Sequence, residues 1–208
     1  DFSGGEKERP FMELQRRAFE VLKNTGTKCN AIWFWGDSLA PEFPKAEAGR
    51  CALGETILMR GITAAASIPI FPTEEAGRSF EAFLTEKADK AIAALNGGYE
   101  RAYVHIQATD DLSHDRNPLG KRAAIETADA LVVRRLMNEV EGDFRLLVLS
   151  DHFTYSDTGS HGGDPVPCLY FDSTCPGNNP SARFTEALCD ERYELTTAKG
   201  TVEMMEKK

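Results

Sequence analysis

The chain is poor in the residues that staple or anchor a protein. Five cysteines, Cys29, Cys51, Cys168, Cys175 and Cys189, are scattered over 208 residues, and no two form a C-x-x-C pair. An odd count without paired spacing excludes a disulfide framework and a zinc knuckle, and fits reduced thiols in a cytoplasmic protein. No apolar run approaches the ~20 residues that span a bilayer. The opening decapeptide, DFSGGEKERP, is polar and unlike a secretory signal. Basic residues are outnumbered, 24 Lys and Arg against 33 Asp and Glu, for a formal net charge of −9. That sign repels phosphate backbones and anionic lipid, which excludes general nucleic-acid and membrane-surface binding. It leaves room for a small anionic substrate wherever a bound cation reverses the local sign. Histidine is scarce too: His105, His114, His152 and His161 are all there are.

What is present is a 41% hydrophobic chain with mixed charge, long enough for one sizeable domain or one domain plus a fragment of another. Phe11, Leu14, Ala18, Val21 and Leu22 fall on one stripe of a helix over 10–23, with Pro10 in its first turn. AIWFW (31–35) is short, aromatic and β-branched, and reads as a buried strand with Trp33 and Trp35 in a sheet core. Residues 52–66 read as a helix, IPIF (68–71) as a strand, and 79–95 as an amphipathic helix capped by Ser79. RAYVHIQA (101–108) follows as a strand and 118–140 as a long helix. FRLLVLS (144–150) and PVPCLYF (165–171) read as strands, and 181–191 and 198–208 as closing helices. Strands alternating with helices, several of them apolar on both faces, predict an α/β fold with a mostly parallel sheet and helices on both faces.

In such a sheet, functional groups gather at the carboxyl ends of strands. The strand 101–108 runs into TDDLSH, with Asp110, Asp111 and His114. The strand 144–150 runs into Asp151-His152, and His161 follows one loop later. Two neighbouring parallel strands would deliver both sets to one edge. Carboxylate oxygen with imidazole nitrogen suits divalent ions such as Zn²⁺ or Mn²⁺, and a pair of such ions can clamp a transferring phosphoryl group. Each dipeptide alone reads as a turn; it is the ordered combination, using three of four histidines, that points to a metal site.

These segments carry a resemblance. VHIQATDDLSH, AAIETADALV, LVLSDH and SHGGDPVP, taken in order, look like the C-terminal half of the alkaline phosphatase superfamily. Within it they are similar to the archaeal-type cofactor-independent phosphoglycerate mutases; NAIWFWG and RFTEAL extend the likeness. The resemblance implies an alkaline-phosphatase-like fold over 30–208, incomplete on its N-terminal side, with 1–29 as the helical tail of a preceding or inserted domain. It implies two divalent ions (Mn, Zn or Mg): one held by Asp110, His114 and His161, the other by Asp151 and His152. It implies exchange of phosphate between 3- and 2-phosphoglycerate through a phosphoserine. A small phosphorylated metabolite is then the expected partner.

The sequence also departs from that pattern. No strand-D-G segment precedes Asn30, and Ser3 follows no strand, so the serine nucleophile is expected outside this chain, which by itself should not turn over. Gln107-Ala108-Thr109 stands where the family has an acid-alanine-proline, which leaves open another superfamily phosphatase or phosphodiesterase. A non-catalytic module of the same fold is the rival in a different class. Lys121 and Arg122 read either as contacts for an anionic substrate or as a solvated helix face. His105 reads as a hydrogen-bonded group beneath the site or a further ligand, Asp111 as solvated, and Asp164 as fixing its turn through an Asx-type bond. Asp37 and Ser38 follow the first strand and read as rim residues. An exposed sheet edge would allow pairing with a second copy, so a homo-oligomer is expected.

Overall fold

The computed structural model describes residues 9–34, 42–73, 77–175, 177, 184–186 and 196–206. Ser3, Trp35, Asp37, Ser38, Cys189 and most of the closing helix expected over 181–191 lie outside the described residues. By internal contact the chain divides into two units, Asp1–Phe43 and Pro44–Lys208.

In the first unit, α1 (Arg9–Leu22) forms as its periodicity dictates. Residues 31–34 are not a strand. Their apolar, β-branched composition has no partner ladder among the described residues, and a strand is defined by its pairing. They lie along α1 instead: Phe34 packs edge-on against Phe11 with centroids 5.4 Å apart, and Gln15 Nε2 donates to the Ile32 carbonyl. Trp33 is correspondingly 85% exposed rather than in a sheet core.

In the second unit, a parallel sheet has the order β2-β1-β3, from β1 (Arg50–Leu53), β2 (Ile70–Phe71) and β3 (Arg101–Val104). β1 corrects the sequence reading, which ran a helix from residue 52. Cys51, Ala52 and Leu53 are fully buried between two neighbours, and the helix α2 (Ile57–Ala66) starts only after Thr56, whose side chain caps it. α3 (Phe80–Asn96) begins at Ser79 as expected, the hydroxyl accepting from the Ala82 amide at 3.2 Å. Its buried face, Phe83, Leu84, Lys87, Ala88, Ala91 and Ile92, keeps a strict helical spacing. It packs on β1 and β3 and makes the core with Leu53, Val132 and Leu136. Each fully buried Leu or Phe there contributes about 1.5–3 kcal/mol.

After β3 comes α4 (Ala108–His114), then α5 (Pro118–Ala128), a π-helical turn at Asp129–Val133 and α6 (Arg134–Glu139), continuous over the segment expected as one long helix. β4 (Arg145–Leu149) does not join the parallel sheet beside β3, as the sequence reading required. It pairs antiparallel with β7 (Cys168–Asp172). Between them lies an unanticipated hairpin, β5 (Phe153–Tyr155) with β6 (Ser160–Gly162). α7 (Ala198–Glu206) closes the chain. The whole is an α/β fold with a parallel sheet. No helix among the described residues is long and apolar enough to cross a membrane.

Candidate metal centre

TDDLSH is helical, so D-x-x-x-H becomes an i,i+4 pair on one face of α4, and Asp110 and His114 meet without any strand end. The second set comes from the hairpin. Side chains in a strand alternate, so His152, immediately before β5, shares a face with Thr154. Thr154 is directly opposite His161 in the ladder, and cross-strand partners share a face. α4 packs on β5, and the two faces meet.

The resulting distances are short. His114 Nε2 lies 3.1 Å from His161 Nε2 and 3.4 Å from Asp110 Oδ1, and His161 Nε2 is 3.8 Å from the same oxygen. Donor atoms around one tetrahedral ion with ~2.1 Å bonds stand about 3.4 Å apart, so this triangle fits a single divalent cation in both size and chemistry. Asp110, His152 and His161 also bring one ligand atom each within 4.8 Å of one another, the rings of His152 and His161 overlapping at 3.9 Å between centroids. His114 is oriented from behind: its Nδ1 donates to the Gly159 carbonyl at 2.8 Å. Carbonyl-bound Nδ1–H leaves Nε2 with the lone pair a metal needs.

Asp110 is the anionic centre. Burial by itself would raise its carboxyl, but the Thr154 hydroxyl at 2.6 Å and the three surrounding imidazoles outweigh that and hold it below the usual carboxylate value. Gln107 Nε2 donates to its other oxygen at 2.9 Å.

The remaining expected residues fall as follows. Asp151 is 84% exposed; its Oδ1 accepts from the His152 amide and its Oδ2 lies 3.4 Å from His152 Nε2, so it stands beside the cluster on the solvent side. Lys121 reaches inward, donating to the Thr154 carbonyl at 3.0 Å, and so braces the frame of the site. Arg122 is exposed and paired with Glu126 at 2.8 Å. Asp111 is exposed. His105 is outside the cluster: its amide donates to Leu53 O and its carbonyl accepts from Lys87, while its Nδ1 is buried without a hydrogen-bond partner. Asp164 accepts from the Tyr155 hydroxyl, which ties the hairpin to the segment after it. Thr154 and Gln107 were missed as site residues; the period-2 alternation from His152 was the signal that could have exposed Thr154.

A carboxylate and three imidazoles gathered from a helix and a hairpin form a donor set of the kind that holds a divalent ion. The chain belongs to the Metalloenzyme superfamily, whose profile matches residues 45–202, and its fold is alkaline-phosphatase-like. Among its relatives, the "probable 2,3-bisphosphoglycerate-independent phosphoglycerate mutase" of Geobacter sulfurreducens is 31% identical over 171 residues, covering 79% of this chain and 43% of that protein. The 2,3-bisphosphoglycerate-independent phosphoglycerate mutase of Aeropyrum pernix is 30% identical over 138 residues, covering 65% and 32%. The solved structure of the PH0037 protein from Pyrococcus horikoshii is similar with a TM-score of 0.59 and 26% identity, over 68% of this chain and 36% of that one. The chain thus spans less than half the length of these relatives. Family and cluster together point to use of a divalent metal.

Proposed function

We propose that this chain carries the metal-binding part of a phosphotransferase that interconverts 3-phosphoglycerate and 2-phosphoglycerate through a phosphoserine. The observation that carries the reading is the meeting of His114 and His161, 47 positions apart, at 3.1 Å over a shared Asp110 oxygen. The names of the relatives supply the substrate class. In this reading Asp110, His114 and His161 hold one ion, and Asp151 and His152 contribute to a second. The imidazole-rich donor set suits Mn²⁺ or Zn²⁺ better than Mg²⁺. Such ions supply charge neutralisation for the phosphoryl oxygens and activation of the attacking oxygen. The protein's own part is to keep Asp110 ionised, through Thr154, and to aim His114 from Gly159.

In this reading the phosphate-accepting serine is not part of this chain, in which no serine follows a strand-D-G segment. Ser113, next to His114, is buried and turns its hydroxyl onto the Thr109 carbonyl at 2.7 Å. The 208-residue chain is therefore expected to bind metal without steady-state mutase turnover.

Elemental analysis and calorimetric titration test this directly. The purified chain is expected to hold about one to two equivalents of Mn²⁺ or Zn²⁺, lost in Asp110→Ala/His161→Ala. A longer protein containing this chain and a serine nucleophile is expected to prefer 3-phosphoglycerate over nitrophenyl phosphates. Absence of bound metal would favour the non-catalytic module; preference for the nitrophenyl ester would favour a phosphatase or phosphodiesterase.

A further inference from the structure

Thr154 sits between the two halves of the cluster. It is 5% exposed. Its hydroxyl donates to Asp110 Oδ1 at 2.6 Å and lies 3.1 Å from His152 Nδ1. Its backbone carbonyl accepts from the Lys121 ammonium, which fixes the strand to α5 at that residue.

A hydroxyl has one proton to donate, and a carboxylate only accepts. The Thr154 proton therefore goes to Asp110, and an oxygen lone pair faces His152 Nδ1. The other neighbour of that nitrogen, the Phe153 carbonyl oxygen at 3.2 Å, is also solely an acceptor. Both contacts require the proton on Nδ1. In the neutral ring Nε2 then carries the lone pair, on the side where Asp151 Oδ2 lies at 3.4 Å. One buried hydroxyl thus acts on both segments: it sets the rotation of the carboxylate from α4 and the tautomer of the imidazole from the hairpin.

We propose that Thr154, braced by Lys121, is a positioning residue for the cation sites, orienting Asp110 toward the first ion and fixing His152 as the Nδ1–H tautomer so that its Nε2 presents a lone pair to the second. The proposal rests on the reading of the cluster as a metal centre. Partners that orient metal ligands in this way typically change affinity by about 10–100-fold when removed.

The test uses the full chain with Zn²⁺ and Mn²⁺ as probes, titrated by calorimetry against wild type, Thr154→Ser and Thr154→Val, each checked for folding by circular dichroism. Valine keeps the branched shape that suits a strand and loses the hydroxyl; serine keeps the hydroxyl. Affinity is expected to fall about 10–100-fold in T154V and to stay near wild type in T154S. Equal affinity in all three would overturn the proposal and leave the metal centre standing. No binding by wild type would instead sink the metal centre itself. Independently, long-range ¹⁵N–¹H spectra of the metal-free wild type at pH about 8, where free imidazole is neutral, are expected to show His152 protonated on Nδ1. An Nε2–H ring would overturn the proposal whatever the variants do. If T154V does not fold, Lys121→Met, which removes the brace and keeps the hydroxyl, is titrated in its place: weaker binding than in T154S supports the proposal, and unchanged binding overturns it.

Discussion

The layer formed by β1, β3 and α3 and the cluster formed by α4, β5 and β6 lie in one unit and are held together by different physics. In the first, Leu53, Leu84, Ala88 and Ala91 are completely excluded from solvent, and stability scales with apolar area removed from water. In the second, the elements are a seven-residue helix and two three-residue strands, the His161 side chain is 53% exposed, and position is maintained by hydrogen bonds among polar groups. The core supplies a rigid edge. The cluster trades burial for donor atoms with unshared pairs. Substitutions in the first should change global stability most, and substitutions in the second should change ion affinity with a smaller loss of stability.

Leu84→Ala is the largest expected effect. Leu84 is 0% exposed in the core cluster, and such truncations cost about 2–5 kcal/mol. Urea unfolding would measure it, with metal affinity of the remaining folded protein unaltered. A loss under about 1 kcal/mol would show that this layer is not the stability core.

Lys87 comes next, a lysine set in the apolar stripe of α3. It is 0% exposed, and its ammonium donates to Glu55 Oε2 at 2.7 Å and to the His105 carbonyl at 2.6 Å, while lying 4.3 Å from the Phe83 ring centroid. Those contacts tie the segment after β1 to the end of β3. Lys87→Met strips the donor from a largely buried carboxylate and should cost about 3 kcal/mol. Lys87→Met/Glu55→Leu should recover part of the loss, because a buried pair replaced whole is far less damaging than a pair broken. A double variant weaker than the single one in thermal unfolding would contradict this.

These two regions also differ in how far the sequence discloses them. α3, its Ser79 cap and its buried face were legible because a helix writes its own period and its own end signals. So were four of the residues that meet in the cluster, Asp110, His114, His152 and His161, because Asp, His and Gly-rich turns concentrate there. The route by which they meet was not. A strand's neighbour is a non-local fact, and periodicity in FRLLVLS is the same beside β3 or beside β7. β1 is only four residues, Arg50–Leu53, and its last two merged into the helical pattern behind it. AIWF, residues 31–34, had strand composition without a ladder to join among the described residues. The π-helical turn and the three-residue strands of the hairpin are too short for a period to register, which is why Thr154 escaped notice although His152 two residues earlier did not.

Gly159→Ala sharpens the contrast from the cluster's side. Gly159 has φ +69°, and a Cβ there would stand 2.9 Å from the His114 backbone oxygen. The same residue's carbonyl receives His114 Nδ1–H. A methyl group both strains the backbone and pushes the acceptor away from the ring. The expected result is a modest global loss, about 1–2 kcal/mol, with weakened Zn²⁺ or Mn²⁺ binding in the same titration. Full affinity in a folded G159A protein would show that His114 does not depend on this loop.

The smallest expected effect lies at the opposite end of β4 from Asp151, where charge serves stability alone. Asp172 accepts from the Thr174 hydroxyl, from Arg145 Nε and from the Thr174 amide, and these contacts hold its carboxyl well below the ordinary value. Arg145 in turn donates to the Met205 carbonyl, linking the strand pair to α7. A carboxyl whose folded pKa is depressed contributes stability that is fully present above its unfolded value, about 3.9, and is lost as pH falls below it toward the folded one. Asp172→Asn cannot titrate, so wild type should lose melting temperature more steeply than the variant once pH drops under about 4, and the gap between them should narrow as acid increases. Metal affinity at neutral pH should be the same in both. Parallel melting curves through that acid range would mean that the Arg145–Asp172–Thr174 contacts do not anchor this end of the fold.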